Sequence, residues 1–309
     1  MGTAPEGSST PLVLFPGQGA QFVGMAGEWV ETSPTAAALF ARGSAILGYD
    51  LLEVCRSGPA ERLNTTAVSQ PAILVTSLAA LELLRARDPS PLEAARLTAG
   101  LSLGEYTALV FAGALDFDDA VRIVAERGRA MQDCAEASPG GMVAVLGMER
   151  DAVAGLCDAC RGDGVLQIAN VLSPGNIVVS GSLDACSCLE EVAPAAGAMK
   201  CVRLEVAGAF HTQLMEPAVN RLAAAVAAAA FRPPRIPVVS NVDARPHTDP
   251  DEIRGLLTRQ VVGVVEWQES MAYILSTGVQ MVWEIGPGRV LRGLLKRIDR
   301  SVATSGVFD

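Results

Sequence analysis

The sequence predicts an α/β protein in which a hydrolase-like parallel-sheet domain is interrupted by a ferredoxin-like α+β subdomain, and three observations carry that expectation. The segment Gly100-Leu101-Ser102-Leu103-Gly104 has G-x-S-x-G spacing between a short apolar run and an apolar-rich stretch without proline, the strand-turn-helix context that exposes a serine hydroxyl on a sharp bend. Residues 142–204 read as β-α-β-β-α-β, the order of a ferredoxin-like unit. Beyond Glu205 the alternation of strands and helices resumes, so the small unit is an insertion.

Taken in order, Leu12 to Phe15 reads as a strand that stops at the loop signal Pro16-Gly17-Gln18-Gly19. Pro71 to Arg85 carries a strongly apolar helical pattern. Arg96 to Ala99 leads into the serine turn, and helices are expected over Glu105 to Ala114 and from Phe117 to about Met131. Ser138-Pro139-Gly140-Gly141 marks a change of pattern. Strands follow over Met142 to Leu146, Val165 to Ala169, Ile177 to Ser180 and Lys200 to Leu204, with helices over Asp151 to Cys160 and Leu183 to Ala195. Further strands are expected at Ile236 to Ser240 and Gln280 to Glu284. The expected division is a discontinuous large domain, 1–137 and 206–309, around a small subdomain, 138–205, with a ligand cleft between them.

Composition narrows the function. The chain has 309 residues, half of them hydrophobic and 19% charged, as in a folded enzyme. A formal charge of -10 disfavours nucleic acid and anionic membrane as general partners, because both would repel it. Met1 to Pro11 shows no secretory signal, and Glu6 stands where myristoylation needs Ser or Thr. A cytoplasmic location, with the seven cysteines reduced, is therefore expected. The alanine-rich tract Leu222 to Phe231 is too short to span a membrane and reads as a buried helix. Cys157-x-x-Cys160 and Cys186-x-Cys188 fall in helical patterns with no histidine nearby, so small buried side chains are expected there and no metal site.

A serine nucleophile needs a base, and the chain has two histidines. His247 lies in a polar loop bounded by Pro246 and Pro250, whereas His211, in Gly208-Ala209-Phe210-His211, stands where the chain returns from the insertion. His211 is the expected base, since a base must sit in the cleft. The oxyanion formed on attack needs donors already aimed at it. The backbone N–H of Leu103, just after the nucleophile, is the first, and the Pro16–Gly19 loop is placed to supply a second.

Six motifs, Phe15 to Gln21, Gly100 to Glu105, Arg127 to Gln132, Gly208 to His211, Arg259-Gln260 with Trp267, and Glu284 to Gly288, stand in an order that resembles malonyl-CoA:acyl-carrier-protein transacylases and the acyltransferase domains of polyketide synthases. The resemblance runs from about residue 12 to 298. It implies a Ser102–His211 dyad without a carboxylate, the imidazole being held by a backbone carbonyl near Gln260. It also implies oxyanion donors at the N–H groups of Gln18 and Leu103, and binding of the substrate's free carboxylate by Arg127. Arginine suits that task, since a guanidinium grips a carboxylate through two parallel hydrogen bonds. Without the resemblance Arg127 would read as an exposed helix arginine paired with Glu126 or Asp133. Phe210 is similar to the malonyl-selecting signature and would crowd an α-methyl group. Two departures stand out: Leu101 where most members have histidine, as in discrete polyketide-type and some organellar members, and Gly263-Val264 where a proline is common.

The activity expected from the resemblance is malonyl transfer from CoA through Ser102 to the phosphopantetheine thiol of an acyl carrier protein, with no bound cofactor or metal. A stand-alone polyketide-synthase acyltransferase is the form expected. The alternatives are a hydrolase clearing stalled acyl groups, an acyltransferase for a larger acyl unit, and a non-catalytic binding module. Arg292, Lys296, Arg297 and Arg300 read either as a basic docking surface for the carrier or as a solvated helix face.

Overall fold

Both faces of the first strand are covered, which explains its uninterrupted apolar sequence Pro-Leu-Val-Leu-Phe. In the computed structural model, which describes residues 10–308, Val13 and Phe15 point into one core and Leu12 and Leu14 into another on the opposite face. The strands are β1 (Pro11–Phe15), β2 (Thr98–Gly100), β3 (Gly140–Leu146), β4 (Leu166–Ser173), β5 (Asn176–Ser182), β6 (Lys200–Arg203), β7 (Val238–Val239), β8 (Pro246–His247), β9 (Val265–Glu266), β10 (Met281–Glu284) and β11 (Ala303–Gly306). Most of the N-terminal stretch that shows no export or lipidation motif lies outside the described residues.

One sheet has the order β11-β10-β1-β2-β7-β8; every pairing is parallel except that of the edge strand β8. Parallel neighbours require crossovers, and helices supply them on both faces. The helix Thr66–Arg87 is buried almost all round in the larger core. It extends a turn upstream of the expected start at Pro71, and the Gln132 side chain accepts a hydrogen bond from the Thr66 N–H at its N-terminus. Its length and composition would suit a membrane crossing, but 78% of its most apolar stretch is buried by the protein itself.

The second sheet has the order β6-β3-β5-β4-β9. Its first four strands, antiparallel throughout, form with the helices Arg150–Cys160 and Leu183–Val192 the ferredoxin-like arrangement around a separate core. Two irregularities in β4 let it run on to Ser173, past the expected end at Ala169. Its far half then pairs in parallel with β9. That extension carries Asn170 and Leu172 to the cavity described below.

Three expectations need correction. The alanine tract is a surface helix, Glu216–Ala228: Leu222 and Val226 are buried, while Ala224, Ala227 and Ala228 face solvent. Alanine fits both environments, so composition could not tell them apart. His247 belongs to the edge strand β8, where Asp243 and Glu252 flank its ring. Arg292 leaves the basic group, because its side chain turns in toward the buried Glu284; only Lys296, Arg297 and Arg300 are exposed. The cysteines are free thiols and, among the described residues, no cluster of metal-ligating side chains occurs.

Candidate active site

The turn after β2 is held by backbone packing so close that side chains are excluded. A Cβ on Gly104 would lie 2.1 Å from the Phe15 carbonyl oxygen, and one on Gly100 would fall 1.9 Å from the Gly104 carbonyl carbon. These glycines let β1, β2 and the helix Gly104–Phe111 meet. Between them Ser102 takes φ 48°, a conformation costly for a residue with a side chain. Its N–H donates to Asn241 Oδ1 at 2.5 Å, and Asn241 Nδ2 donates to the Gly100 carbonyl at 2.8 Å.

His211 follows β6 and also has positive φ, 61°. Its Nε2 lies 2.9 Å from Ser102 Oγ and its Nδ1 2.8 Å from the Gln260 carbonyl oxygen. A carbonyl only accepts, so Nδ1 carries the proton and Nε2 presents its lone pair to the serine. Burial, aided by the nearby Arg127 charge, lowers the imidazole pKa to about 4. The ring is therefore neutral, in its basic form, at ordinary pH.

Arg127 projects from the helix Phe117–Ala137 into the same site and is 1% exposed. Glu126 and Asp133 pair instead with Arg221, which excludes the exposed ion pairs otherwise expected of Arg127. Its Nη1 donates to Gln70 Oε1 at 2.8 Å; its Nη2 donates to Gln260 Oε1 at 2.9 Å and to Ser102 Oγ at 3.0 Å. Gly128 permits this approach, since a Cβ there would lie 2.7 Å from the Thr66 carbonyl oxygen. Among the described residues no carboxylate lies within ion-pair distance of Arg127, and its Nε is buried without a partner. Burial lowers the guanidinium pKa. A buried cation held by neutral acceptors is a prepared anion site.

The Pro16–Gly19 loop packs against the serine turn: a Cβ on Gly17 would be 2.3 Å from the Leu101 carbonyl oxygen. Neither the Gln18 nor the Leu103 N–H has a hydrogen-bond partner among the described residues; Gln18 lines the cavity, and Leu103 directly follows Ser102. Gln18, Leu101, Ser102, Arg127, Phe210 and His211 all line one cavity of about 200 Å³. Met142, Asn170, Leu172 and Val178 close it from the second sheet and Leu204 from just beyond β6, while Val290 and Leu294 do so from the helix Val290–Ile298. Apart from Gln18, Arg127, Asn170 and the dyad, its lining is apolar.

All eight residues singled out in the sequence are thus gathered at one place, with Gln260 contributing through both carbonyl and side chain. Gln70, Asn241 and the carboxyl of Glu105 were missed as parts of the site. Glu105 stands inside the serine motif, three residues on, where helical spacing turns it under the serine; Gln70 and Asn241 carry no local signal.

Residues 13–305 match the family model of the acyl transferase domain. The malonyl CoA-acyl carrier protein transacylase of Escherichia coli strain K12 is 40% identical over 294 residues, covering 95% of this chain and 94% of that protein. The crystal structure of an acyl carrier protein S-malonyltransferase from Vibrio cholerae superposes with a TM-score of 0.91 at 38% identity, covering 96% of each chain. A malonyl-transacylase solved in complex with its type II PKS acyl-carrier protein gives a TM-score of 0.92 at 37% identity, over 97% of this chain and 96% of that one. The chain belongs to the acyl transferase family, and its fold is that family's hydrolase-like core with a ferredoxin-like subdomain.

Proposed function

We propose that this acyltransferase moves a malonyl group from CoA to the phosphopantetheine thiol of an acyl carrier protein through an ester on Ser102. Ser102 Oγ attacks the thioester carbonyl while its proton passes to His211 Nε2. The tetrahedral oxyanion is held by the N–H groups of Gln18 and Leu103. Collapse breaks the carbon–sulfur bond, and the CoA thiolate takes the proton from His211. In the second half the carrier thiol gives its proton to His211, the sulfur attacks the serine ester, and the leaving Ser102 oxygen recovers the proton. The steps balance with thioester, serine and imidazole alone, and the proposal includes no bound cofactor or metal.

The observation that carries the reading is Arg127, a buried guanidinium 3.0 Å from the nucleophile with no carboxylate of its own. The malonyl carboxylate completes it, which favours transfer of a carboxylated acyl unit over general acyl hydrolysis. Phe210, 5% exposed beside His211, narrows the space for an α-substituent, and Leu101 supplies an apolar wall. Segment 138–205 acts as a small subdomain over the site carried by 1–137 and 206–309. Exposed Lys296, Arg297 and Arg300 offer an acidic carrier a local basic surface, and the cytoplasm is the proposed location.

The test is incubation with radiolabelled malonyl-CoA, with and without an acyl carrier protein. The expected result is label on Ser102 that passes to the carrier thiol. Release of free malonate at the same rate in both cases would support the hydrolase instead.

A further inference from the structure

Beneath the serine turn lies a polar layer that the transfer steps do not use. Glu105, in the first turn of the helix Gly104–Phe111, is 3% exposed. Its Oε2 accepts hydrogen bonds from Gln260 Nε2 at 2.7 Å and from the Asn241 N–H at 3.1 Å. Gln260 Nε2 also donates to the Ser102 carbonyl at 3.1 Å, which leaves Gln260 Oε1 to face Arg127.

The two ends of a glutamine amide have nearly the same shape, so what each end meets decides which faces where. Here a carboxyl oxygen and a backbone carbonyl, both acceptors, hold the NH2 end. The carbonyl end is thereby turned to the guanidinium. In the reverse orientation an NH2 group would oppose Arg127, donor against donor, and a buried cation would lose one of its few acceptors. Glu105 is also an acidic group one amide removed from Arg127. Burial raises its pKa to about 7, so it holds the amide as a hydrogen-bond acceptor rather than as a full counter-charge, and it does not occupy the edge of the guanidinium that an incoming carboxylate needs.

We propose that Glu105 is a positioning residue for acyl-group selection, which acts through the Gln260 amide to aim Arg127 at carboxylated acyl units. This rests on the reading that Arg127 grips the malonyl carboxylate. The test compares loading of Ser102 from malonyl-CoA and from acetyl-CoA in the wild type, Glu105→Leu, Gln260→Met, Arg127→Ala and the Glu105→Leu/Arg127→Ala double variant, with thermal melting to establish folding. Gln260→Met removes the amide but keeps the backbone carbonyl that holds His211, and an unchanged ratio in it would overturn the proposal even if Glu105→Leu does not fold.

Glu105→Leu, which removes the acceptor, and Gln260→Met are each expected to lower the malonyl-to-acetyl ratio of kcat/KM by about fivefold or more, chiefly through a higher KM for malonyl-CoA. In the Arg127→Ala background, Glu105→Leu should change that ratio less than about twofold, because the group it aims is gone. Equal losses for the two acyl groups, or persistence of the full effect without Arg127, would overturn the proposal. An unchanged ratio in Arg127→Ala alone would overturn the carboxylate reading of Arg127 itself, and this proposal with it.

Discussion

His211 Nε2 lies 2.9 Å from Ser102 Oγ, and both residues hold the positive φ that glycine adopts far more readily. Two such backbones cost on the order of 1–3 kcal/mol each, and packing around the turn and the Gln260 carbonyl sustains them. The contact predicts that His211→Ala slows acyl loading by roughly 10²–10⁴-fold while the protein stays folded. Quenched-flow measurement of labelled Ser102 checks this, and a loss under about tenfold would remove His211 as the base.

The pH dependence follows from the His211 imidazole, which burial holds down to about 4. A base works in its neutral form, so lowering the pKa lowers the pH at which activity is lost. Measured with acetyl-CoA, whose loading does not call on the Glu105–Gln260–Arg127 array, the His211-dependent step should therefore be level from weakly acidic to neutral pH and fall only as pH drops through about 4. The stability contribution has the same sign: the unfolded imidazole takes up its proton near 6.5, so this group disfavours the fold increasingly as pH falls from there toward about 4. Single-turnover loading in the wild type gives the profile, and an inflection near 6.5 that disappears with His211→Ala would contradict it.

Gly17→Ala tests the oxyanion loop. Its new Cβ would meet the Leu101 carbonyl oxygen at 2.3 Å, a backbone atom that cannot swing aside, so the loop must move and carry the Gln18 N–H with it. The expected outcome is a fall in kcat of about 10²-fold with a smaller change in KM, since the donor acts on charge that develops in the transition state. Full activity in the variant would dismiss Gln18 as a donor.

Phe210→Ser tests acyl selection at the other wall of the cavity. Shortening this nearly buried ring beside His211 should open space for an α-methyl group. Competition between methylmalonyl-CoA and malonyl-CoA should shift toward the methylated substrate by about tenfold, the usual scale for one methyl group in an apolar pocket. No shift would mean that another residue sets the limit.

The serine turn, the histidine after the insertion, the β-α-β-β-α-β order and the strands on which the motifs stand are legible in the chain alone. Each of these is written in local spacing: glycines where backbones must touch, apolar alternation where a strand is covered, a proline-glycine break where the pattern changes. The resemblance carried by six ordered motifs added Arg127, Gln18 and Gln260. Tertiary structure alone decided that Arg127 is buried rather than paired on the surface, that Arg292 turns in to Glu284, and that β4 runs on to meet β9. It alone joined Glu105 to Gln260, 155 residues away, and Ser102 to Asn241, 139 residues away. A hydrogen bond between positions so far apart leaves no period or spacing in the chain; only the packing of the elements that bring its two ends together creates it.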